Sequence, residues 1–203
     1  DITIPDSVTS IGDRAFNGTA YYNNEANWTD GVLYIGNHLI KAKLDELPAD
    51  YTIKEGTKCI SNNAFEYCRN LVSILIPDSV TSIGEAAFVG CTSLTSITIP
   101  NGVISIGGYM FNCCSNLVSI TMPDSITSIG MDAFYNCSKL TGITMPNSVT
   151  GICRWAFWYC ASLETITFKG TEGQWNAIAK GTSWDYNAGS KTSGRSYKLV
   201  FEK

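Results

Sequence analysis

Large apolar residues return along this chain at a fixed interval. Phenylalanine stands at Phe65, Phe88, Phe111, Phe134 and Phe157, and leucine at Leu71, Leu94, Leu117, Leu140 and Leu163, each series spaced by 23 residues without drift. The blocks read Leu-x-x-Ile-x-Ile/Met, then proline in four of five cases, then Val/Ile-x-x-Ile and Ala/Met-Phe-x-x-Cys; the last, from Leu163, has Phe168 in the Ile/Met place and stops there. Polar Ser, Thr, Asn and Gly fill most positions between. A period of this length marks a solenoid, whose single unit cannot bury its apolar side alone and whose neighbours stack into one continuous core.

The elements follow from the spacing inside a block. Leu-x-x-Ile-x-Ile ends on a period of two with β-branched residues and predicts a short strand in a parallel sheet. Pro77, Pro100, Pro123 and Pro146 come next, and a missing N–H with a fixed φ predicts that the ladder stops there. Phe and Cys three apart, as in Phe88 and Cys91, predict one face of a single helical turn. The fold class is therefore an α/β solenoid of short parallel strands and single helical turns, over residues 1–168.

The two ends depart from the clock. Ile2, Ile4, Pro5, Val8, Ile11 and Phe16 match the block but lack its leading leucine, so the chain reads as a piece of a longer protein. Phe16 and Phe65 stand 49 residues apart, which leaves 26 beyond one period; Tyr51, Ile53, Ile60 and Phe65 rebuild the second repeat. Within that extra segment, about 20–47, Leu33 to Ile40 around Gly36-Asn37 predicts a two-residue β-hairpin projecting from one edge. After Phe168 the sequence Thr171-Glu172-Gly173-Gln174 has the form of a capping box. A helix over about 172–180 and a last strand at 197–201 would make residues 169–203 a cap over the open end of the core.

The pattern Asp-Ser-Val/Ile-Thr-Ser-Ile-Gly-x-x-Ala-Phe-x-x-Cys, found at Asp78 to Cys91 and Asp124 to Cys137, resembles the BspA-like leucine-rich repeats of bacterial cell-surface proteins. Ordinary leucine-rich repeats hold Asn or Cys eight residues after the first leucine, where this chain has Ser79, Gly102, Ser125 and Ser148. The resemblance implies a secreted or surface-anchored adhesive module, and no catalytic residues.

Composition narrows the chemistry. Charged residues make up 16% and the net charge is −4 without a basic run, so the phosphate-neutralising term that drives nucleic-acid binding is missing. No run of 18 apolar residues provides a membrane span. Five of the eight cysteines, Cys68, Cys91, Cys114, Cys137 and Cys160, share one repeat position and predict a column of buried thiols. A line of ligands does not converge as a zinc site requires, and Cys59, Cys113 and Cys153 fall outside it. Only seven charged residues lie between Leu71 and Phe168 (Asp78, Glu85, Asp124, Asp132, Lys139, Arg154 and Glu164), with no paired carboxylates at a defined separation. The single histidine, His38, sits beside the expected turn and reads as a surface residue. No catalytic, cofactor or metal residues are assigned, and the chain reads as a non-enzyme.

Two surfaces could still bind. Ser73, Ser96, Ser119, Gly142 and Thr165, with Leu75, Thr98, Thr121, Thr144 and Thr167, should form flat outward columns on the sheet. Beside the buried phenylalanines the later repeats carry Tyr109, Tyr135, Trp155, Trp158 and Tyr159, an aromatic group of the kind enriched at interfaces and suited to sugar faces. Alternatively the tail around Trp175 and Trp184 folds over these rings. Sequons at Asn17, Asn27 and Asn136 matter only in a glycosylating host. The function read from the residues is recognition of a host or microbial surface protein or glycan, outside the cell. The alternative is a passive spacer that displays another domain.

Overall fold

The computed structural model describes residues 2–189 and 197–202. The chain winds as a β-solenoid of about six turns. Three-residue strands Ser73–Leu75, Ser96–Thr98 and Ser119–Thr121, and the longer Gly142–Pro146 and Thr165–Lys169, line one face. They pair in parallel one period apart, Ile97 against Ile120 and Ile143 against Ile166. Pro146 is the last paired residue of its strand and does not precede the break. Its carbonyl still accepts although its nitrogen cannot donate. The Val/Ile-x-x-Ile stretch, to which the sequence assigned no strand, forms two-residue parallel strands: Ser105–Ile106, Ser128–Ile129 and Gly151–Ile152 pair in one ladder, and Ser82–Ile83 pairs with Cys59–Ile60 in another.

The Ala-Phe-x-x-Cys stretch is not helical, which corrects the expected single helical turns. Ala86, Tyr109, Asp132 and Trp155 adopt positive φ, and so do Gly90, Cys113, Asn136 and Tyr159 four residues later. A left-handed residue on each side of the phenylalanine turns the amides away from the i−4 carbonyl and along the solenoid axis. Thus Phe88 N donates to Met110 O at 3.0 Å and Gly90 N to Asn112 O at 2.8 Å, and one coil later Phe111 N donates to Ala133 O at 2.8 Å and Cys113 N to Tyr135 O at 2.8 Å. Each turn is thereby bonded to the next coil, and non-glycine residues are kept in a sparsely populated conformation by the stack around them.

Inside, the five phenylalanines form one pile. Centroids are 5.2, 5.6, 5.4 and 5.1 Å apart from Phe65 to Phe157, with planes tilted by at most 18°, and all five rings are fully buried. The separation slightly exceeds the 4.7–4.9 Å typical of paired strands, which matches rings riding on that ladder in an offset stack. Beside them the thiols are hydrogen-bonded as well as buried. Cys91 Sγ donates to Phe65 O and Cys114 Sγ to Phe88 O at 3.1 Å, and Cys137 and Cys160 repeat the bond to Phe111 and Phe134. A small apolar side chain with one weak donor suits this position. Burial pushes the Cys68 thiol up to about 12 and holds Cys91, Cys114, Cys137 and Cys160 well above the ordinary range.

The extra segment does not project. Val32–Ile35 and His38–Ala42 pair antiparallel, and the second strand then pairs in parallel with Cys59–Ile60. Ala42 N donates to Ala64 O at 2.7 Å, so the hairpin is wedged beside the Phe65 coil, in the place the coil of Phe16 would have taken. Its alternation serves two cores: Val32, Leu39 and Ala42 face the main one, while Leu33, Ile35 and Ile40 join Ile11 and Cys59 in a smaller one. Phe16 is half-buried against this second core and outside the phenylalanine pile, where Tyr51 contacts Phe65 instead, at 6.2 Å. His38 is fully buried, not on the surface, with Nε2 3.1 Å from Pro5 O. The expectation failed because the wedge turns both faces of the strand inward.

In the tail the helix Glu172–Ala177 starts at Thr171 with the reciprocal Thr171/Gln174 bonds of a capping box. It ends before 180 because Ile178 is extended and Ala179–Lys180 pairs with Gly151–Ile152. Lys198–Phe201 pairs in parallel with Thr165–Phe168. Of the 169–203 segment, residues 190–196 and 203 lie outside the described residues.

Two predictions follow from this packing. Phe111→Ala should cost about 3–5 kcal/mol in urea unfolding, as large-to-small changes in closed cores do, and Phe16→Ala should cost clearly less. Equal costs would show that the pile is not the main source of stability. A thiol reagent at mildly alkaline pH, followed by mass spectrometry, should label exposed Cys153 first and spare Cys68, Cys91, Cys114, Cys137 and Cys160 until denaturant is added.

A candidate aromatic surface

The turns that carry the phenylalanines also set the rings beside them. Trp158 lies one period after Tyr135, so stacking brings them to 5.9 Å. Trp155 and Trp158, three apart across the same turn, meet at 4.9 Å, and Trp158 lies nearly parallel to Tyr159 at 5.8 Å. Tyr135 and Tyr159 meet edge-on at 6.1 Å. Trp155 and Tyr159 hold left-handed backbone, with φ of 58° at each. The Arg154 guanidinium lies 4.2 Å from the centre of Trp155, a cation–π contact.

Four of the five candidate residues therefore share one cluster. Tyr109 does not join it; its hydroxyl faces Met131 Sδ at 3.9 Å and the Asp132 carboxyl. Asp132 is buried, which raises its pKa, while the Tyr109 hydrogen bond and the Arg154 charge pull the other way. Arg154 thus links the two groups, with Nε 3.2 Å from Met131 Sδ.

The tail contributes a ring that the repeat could not reveal. Tyr186 meets Trp158 edge-on at 5.6 Å although it lies beyond the last coil, where no period marks it. Trp175 and Trp184 do not cover the cluster. Trp184 stands edge-on to Phe157 at 6.0 Å and Trp175 packs on Phe168 at 5.4 Å, so both serve the end of the core. Tyr159 and Tyr186 keep 43% and 45% of their surface exposed. The surface is a shelf of rings on a frame fixed by inter-coil bonds, with Tyr159 N donating to Tyr186 O at 3.2 Å.

Elsewhere the chemistry is sparse. Thr98, Thr121 and Thr144 are exposed on the sheet, and Asp124 is paired with Lys169 at 2.8 Å two coils away. Among the described residues no group of three or more His, Cys, Asp or Glu could hold a metal ion, and no helix is long and apolar enough to cross a membrane.

The chain is similar to several solved bacterial structures. A leucine rich cell surface protein from Faecalibacterium prausnitzii is 32% identical with a TM-score of 0.70, over 86% of this chain and 55% of its own. A leucine-rich repeat protein from Bacteroides ovatus is 28% identical with a TM-score of 0.63, over 99% of this chain and 49% of its own. The leucine rich repeat protein of T. pallidum is 32% identical with a TM-score of 0.52, over 73% and 71%. This chain thus spans about half the length of the first two. No curated protein matches it. The profile of the BspA type leucine rich repeat region matches residues 1–46 and 58–178 in six copies. With that repeat matched over most of its length, the chain belongs to the BspA type leucine rich repeat family.

Proposed function

We propose that this chain is a non-enzymatic binding module of a bacterial cell-surface protein, which adheres to a host or microbial surface protein or glycan. The observation that carries the reading is the ring shelf beside the buried core, in which Tyr159 and Tyr186 are exposed and Tyr135, Trp155 and Trp158 are half-buried. Aromatic side chains bring large contact area with few rotatable bonds, and such residues dominate binding hot spots. The low charge of the coils suits a surface that works by shape and apolar contact. A family relative described as a cell surface protein supports placement outside the cell. In this reading residues 1–168 form the solenoid and 169–203 cap it. Trp175 and Trp184 cover the last coil, and Tyr186 extends the shelf.

A second reading, a passive spacer, is favoured by the uniform sheet face, which offers threonine after threonine and little to discriminate partners. Beads coated with the chain separate the two when they are tested for retention on immobilised matrix proteins and on mucin glycans. Trp158→Ala and Tyr159→Ala should each weaken binding by about thirtyfold or more, as hot-spot truncations of at least about 2 kcal/mol do, with the circular dichroism spectrum unchanged. Retention equal to that of the parent chain would leave the spacer reading in place.

A further inference from the structure

The wedge between the first coil and the rest opens one gap in the ladder of turns. The first turn has the same left-handed residues as the others, at Arg14 and Gly18. Its neighbour's acceptor, Ala64 O, is instead taken by Ala42 of the hairpin. The turns around Phe16 and Phe65 are held apart, and a cavity of about 230 Å³ lies between them. Phe16, Tyr22 and Tyr67 are aromatic lining residues, and Asn62, Lys41 and Glu66 add polar groups. A second depression shares Leu44 and Tyr67 with the first and continues past Arg69.

We infer that this cavity binds the end of a neutral glycan chain and seats a single pyranose ring. The size sets the first limit, since pockets for drug-sized ligands run to about 300–1,000 Å³ and this one is smaller. Charge sets the second. Lys41 Nζ lies 3.4 Å from Glu66 and donates to Asn63 O at 2.6 Å, and Arg14 pairs with Asp13 at 3.4 Å. Each cation in the lining has its anion, so a charged ligand would meet repulsion wherever it met attraction. Polar chemistry sets the third, because an amide, an ammonium and a carboxylate offer donors and acceptors together, and hydroxyl groups both donate and accept. The aromatic rings supply apolar surface for the C–H face of a sugar.

The site is pre-formed. Lys41 and Glu66 side chains are 24% and 27% exposed, so their bonds are shielded from bulk water. Tyr67 lies over Gly90, where a Cβ would come within 2.2 Å of its ring. Only glycine leaves room for the ring there, and Gly90 has φ of 70°. Arg69 sits 5.8 Å from the centre of Tyr67. Tyr67 and Leu44 line both depressions, and this places a second sugar of the same chain in the second. This site is separate from the ring shelf, so the two proposals stand or fall independently.

Amide NMR titration of the whole chain tests it. The probes are the methyl β-glycosides of glucose, galactose and N-acetylglucosamine, the disaccharides cellobiose, lactose and chitobiose, and the anionic N-acetylneuraminic acid. At least one neutral glycoside should shift amides in 12–17, 40–44 and 62–67, whatever happens at 155–159. Its disaccharide should bind more tightly, and N-acetylneuraminic acid should bind more weakly. Tyr67→Ala should weaken binding by about tenfold, the scale of one aromatic contact, while Tyr67→Phe retains it. Glu66→Gln, which keeps shape but unbalances Lys41, should also weaken it and serves if Tyr67→Ala disturbs the fold. The proposal is overturned if no neutral sugar shifts these amides, if N-acetylneuraminic acid binds as well as the neutral probes, or if Glu66→Gln and a folded Tyr67→Ala both bind like the parent chain. Equal affinity for mono- and disaccharide overturns the chain-end assignment.

Discussion

The structure depends on hydrogen bonds that run along the axis from one coil to the next. Paired strands supply them on two sides, and the left-handed turns supply them on the third, where Phe88, Phe111 and Phe134 each donate to the coil that follows. This requirement accounts for the unvarying period. A coil one residue longer would misalign every donor with its acceptor, and would also shift its phenylalanine out of the pile. Burial of each large apolar side chain contributes about 1.5–3 kcal/mol, yet ordering the backbone costs about 1–2 kcal/mol per residue. One coil in isolation cannot meet that cost, and the stack can because every buried ring is shared by two neighbours.

The columns were legible in the sequence because identity at a fixed spacing admits no other geometry. Phe65 to Phe157, the Ile strands and the buried thiols all came from the period alone. The turn did not. A separation of three between Phe88 and Cys91 fits a helical turn and a compact bend equally, and of the deciding residues, Ala86, Tyr109, Asp132 and Trp155, only the aspartate is of a type enriched at positive φ. Their conformation is imposed by neighbouring coils, which local propensity does not register. The short ladder at Ser82–Ile83 and its equivalents was hidden for the same reason, since two residues carry no alternation to read.

His38 and Tyr186 mark the other limit. Polar residues beside a turn are usually exposed, but the hairpin around His38 lies between two cores, so its position is decided by what surrounds it. Tyr186 reaches Trp158 from a segment with no repeat. Of the ring shelf, the part inside the repeat could be placed by counting, with Tyr135 above Trp158 one period on. Tyr109 shares a repeat position with Trp155, and two coils of separation keep their rings apart, while Asp132 in the coil between them takes up the Tyr109 hydroxyl.

Distinctive surface arises where the clock is broken. Within regular coils each residue type must tolerate its own copy on either side, which favours small, uncharged side chains and yields the plain threonine face. Where the wedge separates the first coil, and where the tail replaces the next one, that demand lapses. Residues there answer to unlike neighbours, so aromatic and charged groups can be set together: Tyr67 with Lys41 and Glu66 at one end, Trp158 with Tyr186 and Arg154 at the other. The two candidate sites therefore sit at the two ends of the regular stack because the regularity that stabilises the middle excludes them from it.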